Sequence, residues 1–440
     1  FKHNGEVSSL MATNAKNLAE LLNTDTTVAV GDIADGSVTT AKLANDAVTA
    51  AKLADDSVVT ANLVDGNVTS GKLAAGAAPV TGFRNLLING AMDVAQRKSG
   101  AFTVSNNVNE GYSIVDRWAL NFNNGCAGAI TFEHSTDAPH GFGHSMKMQC
   151  STATTTFTTH HYAEFRQRIE SQNIHHIAYG TSSAKQMTFS WYMKAVSHSN
   201  PICVRFRTLN GTMEYYAKSY TPTTDWARYT CTIPASTSAT ISDDNSGGFE
   251  VGFVLAAGSG STGIQTGNST AWTTTRINAL DDTANFLNST NNIIYITGCQ
   301  LEVNSTDVAT DFEHRSFPTE LALCQRYFQR WDANNQAYDF VCLSYGLDAD
   351  DTIGVVNLPV PMRATPSLSV DNVDLYVGAS GATELFSTLT FAGYGLREDH
   401  SSFTFNVDTD GSPNLTANRC YPVGFRNRST GYFRLDCELG

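Results

Sequence analysis

The sequence predicts an all-β chain in which a short helix and a repetitive segment lead into β-sandwiches or barrels. Three observations carry that expectation. Alternating aromatic and β-branched runs recur after residue 80, as in Gln186–Met193 (QMTFSWYM), Ile202–Leu209 and Asn292–Gly298, and such runs read as half-buried strands. Glycine, proline and polar clusters separate them at sandwich-like intervals. Thr, Ser, Asn and Gly dominate throughout, and only 16% of the 440 residues are charged. A surface built from those residues is turn-rich and favours strands over helices.

Taken in order, Val7 to Leu22 reads as a short helix. Val7, Met11, Asn14, Leu18 and Leu21 form an a/d stripe with one polar residue in its seam, as in parallel coiled coils. An ordinary amphipathic helix packed elsewhere fits the stripe equally well. From Asp35 to Ala74 the chain repeats in decads: DGSVTTAKLA, NDAVTAAKLA, DDSVVTANLV and DGNVTSGKLA. Valine holds the fourth position (Val38, Val48, Val58, Val68) and leucine the ninth (Leu43, Leu53, Leu63, Leu73).

A spacing of five puts Val and Leu on one face of neither a continuous helix nor a continuous strand. Each decad is therefore expected to be a turn, a short extended piece and a helix-like turn through Ala-Lys-Leu. Two sizeable apolar side chains per decad cannot make a core within one chain. Several chains wound on a common axis can, so the repeat predicts an oligomeric shaft, with three chains the expected number. A disordered low-complexity linker is the competing reading. Ala74–Val80 (AAGAAPV) then reads as a small-residue hinge.

The β texture breaks once more at TELALCQRYFQRW, where Leu321, Cys324, Phe328 and Trp331 make a helical stripe and Pro318 is placed to open a helix. The remainder returns to strands. LPVPMRATPSLSV holds three prolines and suits an edge strand or a loop entering a sheet. SSFTFNVD and GYFRLDC alternate strongly and read as hairpin strands.

Composition narrows the function. A net charge of -14 without a basic cluster disfavours nucleic acid and anionic membrane surfaces as partners. No run of about 18 apolar residues is present, so no membrane insertion is expected. The nine cysteines are scattered, and none forms a Cys-x-x-Cys pair. Buried free thiols and folding in a reducing cytoplasm are the expectation. The chain begins at Phe1 with neither Met nor a signal-peptide pattern, and an anchoring part ahead of it fits that reading.

The decads resemble the shaft repeats of bacteriophage tail fibres, including those of viruses of marine bacteria and cyanobacteria. FRNLLINGAMDVAQR at 83–97 resembles the opening of the jelly-roll domain that follows such shafts. DRWAL (116–120), TFSWYMKA (188–195), TDWARYT (224–230), TGCQLEVN (297–304), FEHRSFPTELALCQRYFQR (312–330) and PMRATPSLSV (361–370) continue the likeness. The middle domain is also similar in outline to the jelly-roll carbohydrate-binding modules of secreted glycan-degrading enzymes.

The resemblance implies a non-enzymatic receptor-binding fibre. Its expected parts are an N-terminal helical segment (1–30), a decad shaft and hinge (31–80), a jelly-roll sandwich (81–315), a connecting helix (316–331) and a smaller C-terminal β-sandwich tip (332–440). The implied partners are two further copies in a homotrimer, other tail or baseplate proteins at the N-terminal end, and a host-surface polysaccharide or lipopolysaccharide. The implied location is the tail fibre of the virion. A tailspike-type glycan depolymerase and a bacterial extracellular carbohydrate-binding adhesin are the alternatives.

Catalytic signatures are absent: there is no G-x-S-x-G, no H-E-x-x-H and no phosphate loop in a strand–helix context. Asp243/Asp244, Asp281/Asp282 and Asp350/Asp351 sit in polar loop stretches, and His160/His161 and His175/His176 would point apart on strands. Sugar recognition needs exposed aromatic faces with polar rims. Trp118, Trp191 and Trp226 lie in alternating strands and are expected in the core. Trp272, in NSTAWTTT, and Tyr394, in FAGYGLREDH, are the candidate platforms, and the loop Gly393–Ser401 at the tip is the leading receptor contact. Jelly-roll modules often hold a structural calcium, for which Asp93 matches in position and Glu302 is a companion. No other cofactor is expected.

Overall fold

A computed structural model describes residues 34, 36–44, 47–49, 52–53, 84–97, 100–105, 111–112, 114–123, 128–155, 162–257, 264–283, 285–304, 308–336, 339–376, 390–409, 415–425 and 429–439. The expected N-terminal helix, the last two decads, the hinge, His160/His161 and Cys126 lie outside them. Two compact units divide the chain at Ala74.

In the first unit two successive decads adopt one local geometry. Thr40–Lys42 is a single 3-10 turn, closed by Lys42 N donating to Thr39 O at 2.9 Å. Lys42 Nζ reaches back to Ser37 O at 2.6 Å. Ten residues on, Lys52 N donates to Thr49 O at 2.9 Å and Lys52 Nζ to Ala47 O at 2.7 Å. The lysine thus ties its own decad. The apolar positions remain uncovered, with Val38 54%, Leu43 44%, Val48 52% and Leu53 46% exposed.

The second unit is nearly all β. Among the described residues there are 23 strands and only two α-helices. One six-stranded sheet runs, edge to edge, Phe102–Ser105, Ala129–Ser135, Ser145–Thr152, Ile293–Val303, Met187–Val196, Ala227–Ile233. A second runs Gly111–Tyr112, Ala119–Asn123, Tyr162–Glu170, Gly247–Ala257, Ile202–Thr208, Tyr215–Tyr220. All pairings within both sheets are antiparallel. The chain passes repeatedly between them, which is the jelly-roll manner of building a sandwich.

Alternation explains the core. Met187–Val196 turns Phe189, Trp191 and Met193 inward and leaves Tyr192 and Lys194 outside. Across the gap Phe189 meets Phe206 at 5.6 Å and Phe253 at 5.9 Å, and Phe132 meets Phe165 at 6.4 Å. Each such fully buried ring contributes ~1.5–3 kcal/mol of transfer free energy.

The C-terminal part is a smaller two-sheet sandwich. Its six-stranded sheet runs Asp374–Leu375, Cys420–Phe425, Asp339–Gly346, Asp351–Asn357, Ser402–Asp408, Thr390–Leu396. Its three-stranded sheet runs Phe328–Asp332, Tyr432–Asp436, Ser367–Asp371. Phe403, Phe405, Val423, Phe433 and Leu435 form the shared core. Ser367–Asp371, which follows the three prolines, is an edge strand.

Four local expectations need correction. The helix is Phe317–Gln325, with Pro318 in its first turn. It stops short of Phe328 and Trp331 because those residues pair with Tyr432–Asp436. His175 and His176 lie in a 3-10 turn rather than a strand. Tyr394 lies in the edge strand Thr390–Leu396, not in a loop. SSFTFNVD and GYFRLDC are strands but belong to different sheets.

Ion pairs, buried or partly buried, join the two sandwiches. Arg97 reaches Asp436 at 2.6 Å and Glu438 at 2.9 Å, and its guanidinium stacks 3.8 Å above Phe328. Arg117 pairs with Glu438 and stacks 3.4 Å over Tyr327. Arg326 makes a two-pronged contact to Glu170, both distances 2.9 Å.

Candidate functional site

The outward positions of the first six-stranded sheet line up across its strands. Tyr295 pairs with Lys194 on one side and Lys147 on the other. Lys147 in turn pairs with Glu133. Ala227 opposite Met193 sets Trp226 next to Lys194. The result is a row Trp226, Lys194, Tyr295, Lys147, Glu133, crossing five strands or strand ends on one face.

Its polar groups fix one another. Asp137 accepts from Trp226 Nε1 at 3.1 Å and from Lys194 Nζ at 2.5 Å. Lys194 Nζ stands 4.8 Å from the Tyr295 ring centre and 5.4 Å from that of Trp226. The two rings meet nearly edge to face, 6.2 Å apart at 66°. Lys147 Nζ lies 2.8 Å from Glu133. Burial would raise the Asp137 carboxyl, but the hydrogen bonds from Lys194 and Trp226 outweigh it and hold the group below its ordinary range. The hydrogen bond from Lys147 to Glu133 chiefly raises the lysine.

A second aromatic group borders this row. Tyr192 lies opposite Arg228 and Thr297. Phe142 packs on Tyr192 at 5.2 Å, on Phe312 at 5.0 Å and on His314 at 5.1 Å. The close approach depends on Gly298, which has φ +62 and where a Cβ would fall 2.7 Å from Tyr192 and 2.8 Å from Phe142. Tyr295 is only 9% exposed and backs the row. The partly exposed rings of Trp226 and Tyr192, with carboxylates and ammonium groups nearby, can stack on a flat apolar ligand face and hydrogen-bond its rim.

The residues singled out from sequence fall elsewhere. Trp118 and Trp191 are buried as expected, whereas Trp226 faces outward, just ahead of its strand. Trp272 is not a free platform: its ring packs on Tyr216 at 5.7 Å, Tyr179 at 5.9 Å and Phe249 at 6.1 Å, and its Nε1 donates to Pro234 O at 2.7 Å. Tyr394 is 63% exposed. It is the extra residue of a β-bulge, since Gly393 pairs with Phe405 and Gly395 with Thr404.

Asp93 and Glu302 do not fit a calcium ion. Asp93 Oδ1 lies 2.9 Å from His144 Nδ1. Glu302 accepts from Thr310 N at 2.9 Å and Thr310 Oγ1 at 2.6 Å, with Arg84 Nε at 3.5 Å. A guanidinium beside the carboxylate competes with a cation for its oxygens. Among the described residues no group of three or more His, Cys, Asp or Glu could hold a metal ion. The paired aspartates have structural partners: Asp244 accepts from Ser246 N at 2.9 Å within its loop, Asp281 from Gly267 N at 3.0 Å, and Asp351, which opens a strand rather than lying in a loop, from Asn406 Nδ2 of the next strand at 2.7 Å. No helix among the described residues is long and apolar enough to cross a membrane.

No family model matches the chain. No curated protein matches it either. Among solved structures, the enzymatically active domain of tailspike protein 4 of bacteriophage CBA120 is 10% identical over 50% of this chain and 21% of its own, with a TM-score of 0.27. The family 11 carbohydrate-binding module of a Clostridium thermocellum cellulosomal cellulase is 14% identical over 49% of this chain and 99% of its own, with a TM-score of 0.24. A xylan-binding domain from Paenibacillus barcinonensis is 10% identical over 48% and 99%, with a TM-score of 0.23. The sheets themselves define the class of the chain: an all-β protein of two successive sandwiches.

Proposed function

We propose that this chain is the subunit of a viral tail fibre that attaches to a host bacterium by binding a surface polysaccharide or lipopolysaccharide, without cutting it. The observation that carries the reading is the aromatic and polar row from Trp226 to Glu133. A saccharide presents flat C–H faces and a rim of hydroxyl groups, and this row offers both a ring to stack on and fixed donors and acceptors. Tyr394 stands at a bulge between Gly393 and Gly395 on an edge strand, with only Phe405 and Thr404 paired opposite its neighbours, so the jelly-roll face, with its fixed polar groups, is the better place for glycan contact. A binder fits better than a catalyst. Asp137 is held ionised beside Lys194, and a glycosidase needs one carboxyl that keeps its proton.

Self-association belongs to the same reading. The exposed Val and Leu of the decads call for further copies of the chain, three in the simplest fibre. Trivalency raises a weak sugar contact by roughly 10²–10⁴ in avidity. The N-terminal end then meets other tail or baseplate proteins, and the chain folds in the host cytoplasm before assembly.

The test is adsorption of the full chain to immobilised bacterial surface polysaccharides, compared with Trp226→Ala and Lys194→Ala. Retention on at least one polysaccharide, lost in both variants while their thermal melts stay near the parent, is the expected result. Retention unchanged in both would remove the site.

A further inference from the structure

The outer face of the six-stranded sheet in the C-terminal sandwich carries a second kind of surface. Its inner face is covered by the three-stranded sheet, Phe405 meeting Phe433 at 5.2 Å. The outer positions form two neighbouring rows. Leu343 pairs with Pro422, and Val355, on the adjacent strand, pairs with Thr404. In the next row Tyr345 pairs with both Cys420 and Ile353, and Ile353 with Asn406. None of these eight positions bears a formal charge. Leu343 is 60%, Tyr345 44% and Val355 44% exposed, and Cys420 is exposed as well.

We infer that this face is a contact between copies of the chain, so that the fibre is held together at its C-terminal sandwich as well as along its decads. The inference extends the self-association part of the reading above and is independent of where the glycan binds. Two features select a second copy as the occupant. Leucine, valine, isoleucine and proline offer little to a saccharide, which needs hydrogen-bonding partners around a stacking ring, but they suit another apolar sheet face. Each chain carries a net charge of -14, so an uncharged face is where copies meet with the least mutual repulsion. With large side chains about half exposed, at roughly 80–100 Å² each, the patch falls below the ~800 Å² per partner of a standard free-standing interface. Copies already tethered through their N-terminal repeats need less area, because tethering raises their effective concentration.

Cys420 is a native reporter of this contact. The full chain is sized by sedimentation and exposed under native conditions to a maleimide probe, with the labelled cysteines mapped by mass spectrometry. The expected result is an oligomer in which Cys420 labels about 10-fold or more slowly than in Leu343→Asp, because reaction requires an accessible thiol. Leu343 is largely exposed, so the aspartate leaves the core untouched, and the buried Cys437 of the same sandwich reports any unfolding. Should Leu343→Asp fail to fold, Thr404→Arg introduces charge at the same face. An oligomer in which Cys420 labels as fast as in the folded variant overturns this contact and leaves the decad assembly standing. A monodisperse wild-type monomer overturns both, whereas loss of polysaccharide binding alone touches neither.

Discussion

Asp116 is fully buried at the junction of the two sandwiches, with Oδ2 accepting from Gln96 N at 2.7 Å and Oδ1 3.7 Å from Arg97 Nε. Burial raises its pKa to about 7, against the pull of Arg97. The native state therefore binds this proton more tightly than the unfolded chain, whose carboxyl titrates near 4. The stability it contributes is fully present below the unfolded value and is lost as pH rises through about 7. Thermal melts from pH 5 to pH 8 should show a falling Tm, and Asp116→Asn should flatten that slope; an unchanged slope would contradict the assignment. Glu250 works in the opposite sense. It is 1% exposed and lies 2.6 Å from Arg207, 2.9 Å from Arg168 and 3.1 Å from Arg166. Burial opposes its ionisation, but the surrounding guanidinium groups, Arg166 foremost, hold the carboxyl well below its ordinary range. Glu250→Gln removes the carboxylate these guanidinium groups share and should cost about 3–5 kcal/mol in denaturant unfolding. Neither residue stands out in the sequence, because only the pairing of distant strands makes these groups neighbours.

At the level of elements, Ile293–Val303 does the most to place the candidate site. Its outward Tyr295 sits between Lys194 and Lys147, and its irregularity between Thr297 and Gln300 puts Gly298 beneath Phe142. Gly298→Val combines a strained backbone with a collision against both rings, and should cost about 1–3 kcal/mol. Tyr192 should shift with it, seen as altered aromatic resonances, while Trp226 keeps its environment. The strands were legible because QMTFSWYM and IIYITGCQ alternate, and Pro318 marked the start of the helix. The helix end was not. Arg326 to Trp331 can continue a helical stripe, and the choice of strand comes from pairing with Tyr432–Asp436 far along the chain. Trp226 was misread for a similar reason. Alternation says that two faces exist but not which is covered, and Trp226 falls one residue before its strand, on the outward parity of the Lys194 row. Trp272 misled in the other direction: its polar neighbours suggest a loop, yet its ring is packed against Tyr216 and Tyr179.

For the whole molecule, the local form of the decads was readable, since the expected turn ahead of each leucine recurs in two of them. The thiols follow from the core. Eight cysteines among the described residues are free, and burial pushes Cys203 up to about 12 and Cys231 up to about 11, which makes them poor nucleophiles. All nine thiols should titrate as free in denaturant without reductant, and a titre short by two or more would revive a secreted adhesin. The assignment of glycan binding to one face of one sandwich is the claim on which the functional reading turns. It is tested most directly by affinity electrophoresis of the full chain through gels containing bacterial surface polysaccharides, with Trp226→Ala and Tyr394→Ala run beside it. The account predicts that one polysaccharide retards the parent and Tyr394→Ala alike, whereas Trp226→Ala migrates as in an empty gel. Retardation preserved in Trp226→Ala and lost in Tyr394→Ala would place recognition at the C-terminal sandwich and contradict it.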